Sequence, residues 1–219
     1  MSAKRGRGPV RGAFAMDRDG AGASARDRPA RAGGAGRGML DGVRRPEPRP
    51  VVLVPVARRH VDAIQALAAD PEVAATTGLP NPYPPDGAAR FVALALQARA
   101  QGTGYHLAIL QDGRLVGVCG VKDIDSTRRA GEVGCWVGRA HWGQGIATRA
   151  VAEVARIARD ELGLRTLTAC SLEDNARSLR VLEKCGFVCV RRELNARRLV
   201  HRSPDDHLLL YERALAPDD

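Results

Sequence analysis

From Ile146 the apolar residues Ala150, Val151, Val154, Ile157, Ala158 and Leu162 recur at three- and four-residue steps, while Arg149, Glu153, Arg156 and Arg159 fill the other face. That spacing predicts an amphipathic helix of about four to five turns. Gly163 follows as a left-handed stop, and Leu164 to Cys170 mixes Leu, Thr and Ala as a strand does. Immediately upstream, Glu132-Val133-Gly134-Cys135-Trp136-Val137-Gly138 reads as a strand leading through a glycine turn into that helix. Earlier still, Arg58 to Ala69 and Pro85 to Gln101 read as helices. Tyr105 to Leu110 and Leu115 to Val121 read as strands joined by Gln111-Asp112-Gly113-Arg114, and an Asp-Gly step between apolar runs is a hairpin signal. Downstream, Asn175 to Phe187 is a short helix with both ends written in. Asn175 is its N-cap, Leu179, Leu182 and Cys185 are its apolar face, Gly186 is its left-handed end and Phe187 folds back upon it. The order is strand, two helices, three antiparallel strands, helix, strand, helix and two final strands, an α/β mixture.

The chemistry concentrates at His141-Trp142-Gly143-Gln144-Gly145-Ile146-Ala147-Thr148. A helix start without bulky side chains presents unpaired N–H groups and the positive end of the helix dipole, a seat for pyrophosphate. The bland alternative is that Gly143 and Gly145 only turn a strand into a helix. No Lys-Ser/Thr follows the second glycine, and Thr148 stands where a dinucleotide fingerprint has its third glycine, which argues against ATP and NAD.

Trp142-Gly143-Gln144-Gly145-Ile146-Ala147 and Asn175-x-x-Ser178 closing on Gly186-Phe187, in that order, resemble the two signature motifs of the GNAT superfamily of N-acetyltransferases. The wording is most similar to the branch of ribosomal-protein N-terminal acetyltransferases, and the resemblance runs from about Val52 to Arg213. It implies a twisted, mostly antiparallel mixed sheet flanked by helices, acetyl-CoA as cosubstrate, no metal, and a primary amine as acceptor. The acceptor is a peptide N-terminus first, or a small-molecule amine. Pantetheine is then expected beside Trp136 and Val137, pyrophosphate on Gly143, Gln144, Gly145, Ile146, Ala147 and Thr148, and Asn175 near the pantetheine amides. Glu132 is the expected base, with an ordinary strand-end carboxylate as the other reading. Ser178 is either a hydroxyl near the sulfur or a capping hydroxyl. Two positions depart from the pattern: Ala140 stands for the motif's Arg/Gln, and Leu182 for the Tyr that serves the family as thiolate acid. The second departure keeps open a non-catalytic acyl-CoA sensor.

Charge divides unevenly along the 219 residues. Residues 1–50 hold 12 Lys+Arg against 5 Asp+Glu, and the rest of the chain holds 22 against 20. The segment 1–48, rich in Gly, Ala, Arg and Pro without apolar periodicity, reads as a disordered basic tail, preceding an acetyltransferase domain over 49–216. Arg-rich tails bind nucleic acid through phosphates, but only Phe14 offers an aromatic ring, so that role stays secondary. Translation beginning at Met16 or Met39 is the alternative account of the tail. Neither a signal-peptide stretch nor a membrane span is legible, so the expected protein is cytoplasmic, a monomer or homodimer. Five cysteines without a Cys-x-x-Cys pair read as buried thiols, with neither disulfide nor metal role. His106, His141 and Tyr211 are weaker acid–base candidates; Tyr211 reads as core.

Overall fold

The computed structural model describes residues 49–195, 199 and 201–216. The basic segment 1–48 lies outside the described residues. Seven strands form one sheet: β1 (Val51–Pro55), β2 (Tyr105–Gln111), β3 (Arg114–Asp125), β4 (Ala130–Val137), β5 (Thr166–Leu172), β6 (Val188–Leu194) and β7 (His207–Ala214). Their spatial order is β1-β2-β3-β4-β5-β7-β6, and every neighbouring pair is antiparallel except β4–β5. The hairpin between β2 and β3 has two loop residues, Asp112 and Gly113, both at positive φ (51° and 73°). This is the type I′ geometry whose twist matches the strands.

Helices cover both faces. On one side lie α1 (Val61–Ala68) and α3 (Gly87–Gln101), with the short α2 (Pro71–Ala75) between them in sequence. The predicted helix from Arg58 starts instead as one 3₁₀ turn, Arg58–His60. The second predicted helix begins at Gly87 rather than Pro85, because Gln65 of α1 holds its mouth. The Gln65 Oε1 accepts from Ala88 N–H at 3.0 Å, and its Nε2 donates to Pro84 C=O at 2.9 Å. Sequence reasoning missed α2, whose Asp70 N-cap accepts from Glu72 N–H and whose first residue is Pro71, two ordinary start signals.

The opposite face carries α4 (Ile146–Asp160) and α5 (Ala176–Lys184). Ile146, Ala150, Val151, Val154, Ala155, Ile157 and Ala158 of α4 are buried against the sheet, as their spacing requires. Leu182, Cys185 and Phe187 join the same core, and Gly163 and Gly186 both adopt the left-handed conformation expected of helix stops. The other core is built by Val56, Ile64, Ala88, Val92, Ala95, Ala108 and Val118, with Trp136 against it. Tyr211 is core, 4% exposed.

The cysteines divide more than the sequence implies. Cys119 and Cys185 are buried, Cys135 and Cys170 are half-buried, and Cys189 is exposed, all five as free thiols. Cys189 lies on β6, the sheet's edge, which is open on both faces, so an apolar neighbourhood in sequence does not bury it. Among the described residues no group of His, Cys, Asp and Glu could hold a metal, and no helix is long and apolar enough to cross a membrane.

Candidate active site

The site is made by a ladder that stops. β4 and β5 pair from Ala130–Thr166 to Glu132–Thr168, yet β4 continues to Val137 and β5 to Leu172. Past Glu132 the two parallel strands part, leaving the β5-facing backbone edge from Val133 onward available for another extended chain, as far as the Val137 C=O, which the Trp142 indole occupies. Two cavities, of about 400 and 370 Å³, open at the gap. Thr76, Gly134, Cys135, Trp136, Cys170 and Ser178 line both, so a group held in one chamber can reach a group held in the other.

The first cavity runs along the mouth of α4. Gly143 and Gly145 adopt positive φ (75° and 70°), a backbone that favours glycine, and Gly145 is the helix N-cap. Arg149 is the first residue whose N–H finds a helical partner, Gly145 C=O at 3.1 Å. The N–H groups of Ile146, Ala147 and Thr148 therefore point out of the helix end. The loop is clamped at both ends. The Trp142 indole N–H donates to Val137 C=O at 2.6 Å, and the Arg149 guanidinium donates to Gln144 C=O at 3.2 Å and Arg49 C=O at 3.4 Å. The Arg177 guanidinium lies over the Trp142 ring at 4.1 Å, a cation–π contact. Arg177, Arg180 and Lys184 add positive charge to the wall, which suits an anion.

Of the residues expected to hold the cosubstrate, Trp136, Val137, Gly143, Gly145, Ile146, Ala147, Thr148 and Asn175 line this cavity. Gln144 is exposed outside its lining, its side chain donating to Ala140 C=O at 3.3 Å. Asn175 has structural work at both ends of its amide: Oδ1 accepts from Ser178 N–H at 3.2 Å, and Nδ2 donates to Thr76 C=O at 2.8 Å, tying α5 to the end of α2. Ser178 lies in the wall common to the two chambers.

The second cavity lies on the α1/α3 face. Glu132 sits at its floor, 9% exposed, with Oε1 2.9 Å from Lys122 Nζ and 3.6 Å from Cys170 Sγ. Register explains the ion pair, since Lys122 of β3 is directly opposite Glu132 of β4. Burial opposes the Lys122 charge, but the hydrogen bond and charge of Glu132 outweigh it and hold the ammonium above its ordinary range. His106, in the same wall, is pushed down chiefly by burial and further by Lys122. Its ring meets Phe91 edge-on, and its Nδ1 is buried without a hydrogen-bond partner among the described residues. His141 lines the first cavity instead.

The segment after α2 and the connection between β6 and β7 both reach this chamber. Gly78, Leu79 and Leu199 line it, with Gly78 against the Leu199 side chain. The connection after β6 is organised by Asn195, 1% exposed, whose Nδ2 donates to Leu199 and Ser203 C=O and whose Oδ1 accepts from Leu199 N–H at 2.7 Å. The Arg202 guanidinium fastens that connection to α2 through Ala75 C=O at 3.0 Å. Sequence reasoning missed Lys122, Arg149, Arg177 and Asn195. None of the four carries a motif, and the Lys122–Glu132 pairing emerges only from the register of β3 and β4.

The model of an acetyltransferase (GNAT) domain matches residues 51–188. YdaF of Bacillus subtilis, whose name is that of a ribosomal N-acetyltransferase, is 32% identical over 85 residues, which is 39% of this chain and 46% of that protein. YjcK of the same organism, named a probable N-acetyltransferase, is 36% identical over 120 residues, 52% of this chain and 64% of that protein. The chain thus spans about half to two thirds of these relatives. The same fold occurs in the ribosomal α-N-protein acetyltransferase RimL in complex with coenzyme A, with TM-score 0.70, 18% identity and 77% and 96% of the two chains covered. It occurs too in the Vibrio cholerae spermidine N-acetyltransferase with CoA and spermine, with TM-score 0.66, 14% identity and 75% and 95% covered.

Proposed function

The chain belongs to the GNAT acetyltransferases, a family of acetyl-CoA-dependent acyltransferases, and from that premise we propose that it moves acetyl to a primary amine, a protein N-terminal α-amine first. The observation that carries this reading is the meeting of two unlike chambers where β4 and β5 part. One has a glycine loop, a helix mouth and a basic wall; the other has a buried carboxylate.

The residues present fit acetyl-CoA. Gly143, Gly145, Ile146, Ala147 and Thr148 would hold pyrophosphate with backbone N–H groups, with Gln144 contributing its own, and Arg177, Arg180 and Lys184 would add charge for phosphate. Gly134 suits the pantetheine track beside Trp136 and Val137, because a Cβ there would stand in open space rather than against protein. Asn175 would hold the end of that track in place. Acetyl-CoA supplies the activated acetyl group as a thioester.

Glu132 takes the proton that the acceptor ammonium must lose, directly or through one water. Its carboxylate suits that task by position, at the floor of the chamber that meets the cosubstrate cavity and oriented by Lys122 Nζ at 2.9 Å. Ser178, shared by the two walls, orients a water or donates its hydroxyl toward the sulfur. The test is Glu132→Gln, assayed with saturating acetyl-CoA and an alanyl peptide. Transfer slows by about 10²–10⁴, the span of general base catalysis, while acetyl-CoA affinity holds; unchanged turnover would remove Glu132 from the mechanism.

One observation favours a second reading. Leu182, 5% exposed, lines the first cavity where the family resemblance has a tyrosine acid. A non-catalytic acyl-CoA sensor would bind acetyl-CoA and turn over no amine at all, whether peptide, amino acid or polyamine.

A further inference from the structure

The charge and shape of the second chamber narrow the acceptor. Among the described residues that line it, the carboxylate is Glu132, already matched by Lys122 at 2.9 Å, and burial, followed by Lys122, disfavours the charged form of His106. The chamber floor thus offers a plus–minus pair rather than a negative well. Lys122 remains accessible, its side chain 46% exposed, and an ammonium has three N–H donors, of which Glu132 at 2.9 Å engages one, while Asp123, outside the chamber lining, forms an ion pair at 3.5 Å. A polyamine brings two or more ammonium groups and would set one of them beside Lys122 without a second carboxylate in the lining to receive it.

An α-amino carbonyl unit matches the pair instead. Its nitrogen and carbonyl oxygen hang from adjacent atoms about 3 Å apart by standard bond lengths, so ammonium and oxygen can face Glu132 and Lys122 together. Beside this pair the floor is bare at Gly134 of β4, where a Cβ would stand in open space, and Gly120 of β3, opposite it, brings the backbone to the chamber lining. Leu79, Phe91, Leu172 and Leu199 make the walls apolar. We infer that the acceptor is an α-amino carbonyl compound with a compact apolar side chain, a peptide N-terminus or a free amino acid, and that Lys122 selects it over polyamines. This inference rests on the transferase reading above.

The experiment compares kcat/KM of the full chain for an alanyl peptide, free alanine and spermidine, in the wild type, Lys122→Met and Lys122→Arg, with acetyl-CoA affinity measured by calorimetry. The wild type prefers an alanyl acceptor over spermidine by at least about tenfold, as expected of a site built to pair with a substrate oxygen. Lys122→Met raises KM for the alanyl acceptor and narrows the gap to spermidine, Lys122→Arg keeps the preference, and acetyl-CoA affinity stays the same in all three. The peptide and the free amino acid compared with each other identify the source. Equal or better use of spermidine by the wild type overturns the inference, as does a Lys122→Met variant that loses all acceptors in equal proportion. If acetyl-CoA binds and no acceptor reacts, the selection by Lys122 falls and the sensor reading stands. If acetyl-CoA does not bind, both this inference and the transferase reading fall.

Discussion

At residue scale, the glycine loop was legible and the ion pair was not. Gly143 and Gly145 announce a left-handed turn by their identity, and both occupy one. Gly145→Glu places a side chain on a φ of 70° and a negative charge at the helix mouth. Acetyl-CoA affinity should fall by more than about a hundredfold, a loss near 3 kcal/mol, with the fold intact by circular dichroism; retained affinity would show that the loop does not hold phosphate. Lys122 carries no motif. It becomes meaningful only when strand pairing sets it against Glu132, and a one-residue slip would send it to the other face. Arg149 and Arg177 were hidden for a similar reason: each looks like a solvated helix position until its guanidinium is seen folded back onto the loop.

At the scale of elements, local signals worked where the helix or turn is closed by its own residues. The Asp112-Gly113 hairpin, the face of α4 and both ends of α5 follow from such signals. They failed where the partner is distant. α3 starts where Gln65 caps it, and the connection after β6 is shaped by Asn195, an unremarkable Asn in sequence. Cys189 reads as buried from its neighbours and is exposed because β6 is an edge. Asn175 joins the two kinds of contact, capping α5 and tying it to Thr76. Asn175→Ala should cost about 1 kcal/mol from the cap alone, seen as a melting point lower by about 2–4 °C for a domain this size. A matching loss in acceptor use would follow from loosening Thr76, which lines both chambers; an unchanged melting point would show that neither bond stabilises the fold.

At the scale of the whole molecule, the fold couples stability to pH through two histidines. His60 is buried, and its Nδ1 accepts from Ala57 N–H at 3.1 Å, a bond that needs the unprotonated ring. Burial, followed by Arg59, lowers its pKa, and burial, followed by Lys122, lowers that of His106. Both rings bind a proton less readily when folded than when unfolded. The stability they contribute is therefore present above their ordinary value of 6.5 and lost as pH falls through the lower folded values. The melting point should decline from about pH 7.5 to about pH 5.5, less steeply in His106→Gln; an equal slope in that variant would clear His106 of the effect. The overall order of strands and helices was readable because each element buries its own stripe. The parting of β4 and β5 was not, since it arises from the sheet as a whole and has no residue of its own.

The account stands or falls on the chamber at the mouth of α4. Calorimetric titration of the full chain with acetyl-CoA, with ATP as control, tests it most directly. Saturable micromolar binding of acetyl-CoA and none of ATP is the predicted result; a folded protein that does not bind acetyl-CoA would contradict it.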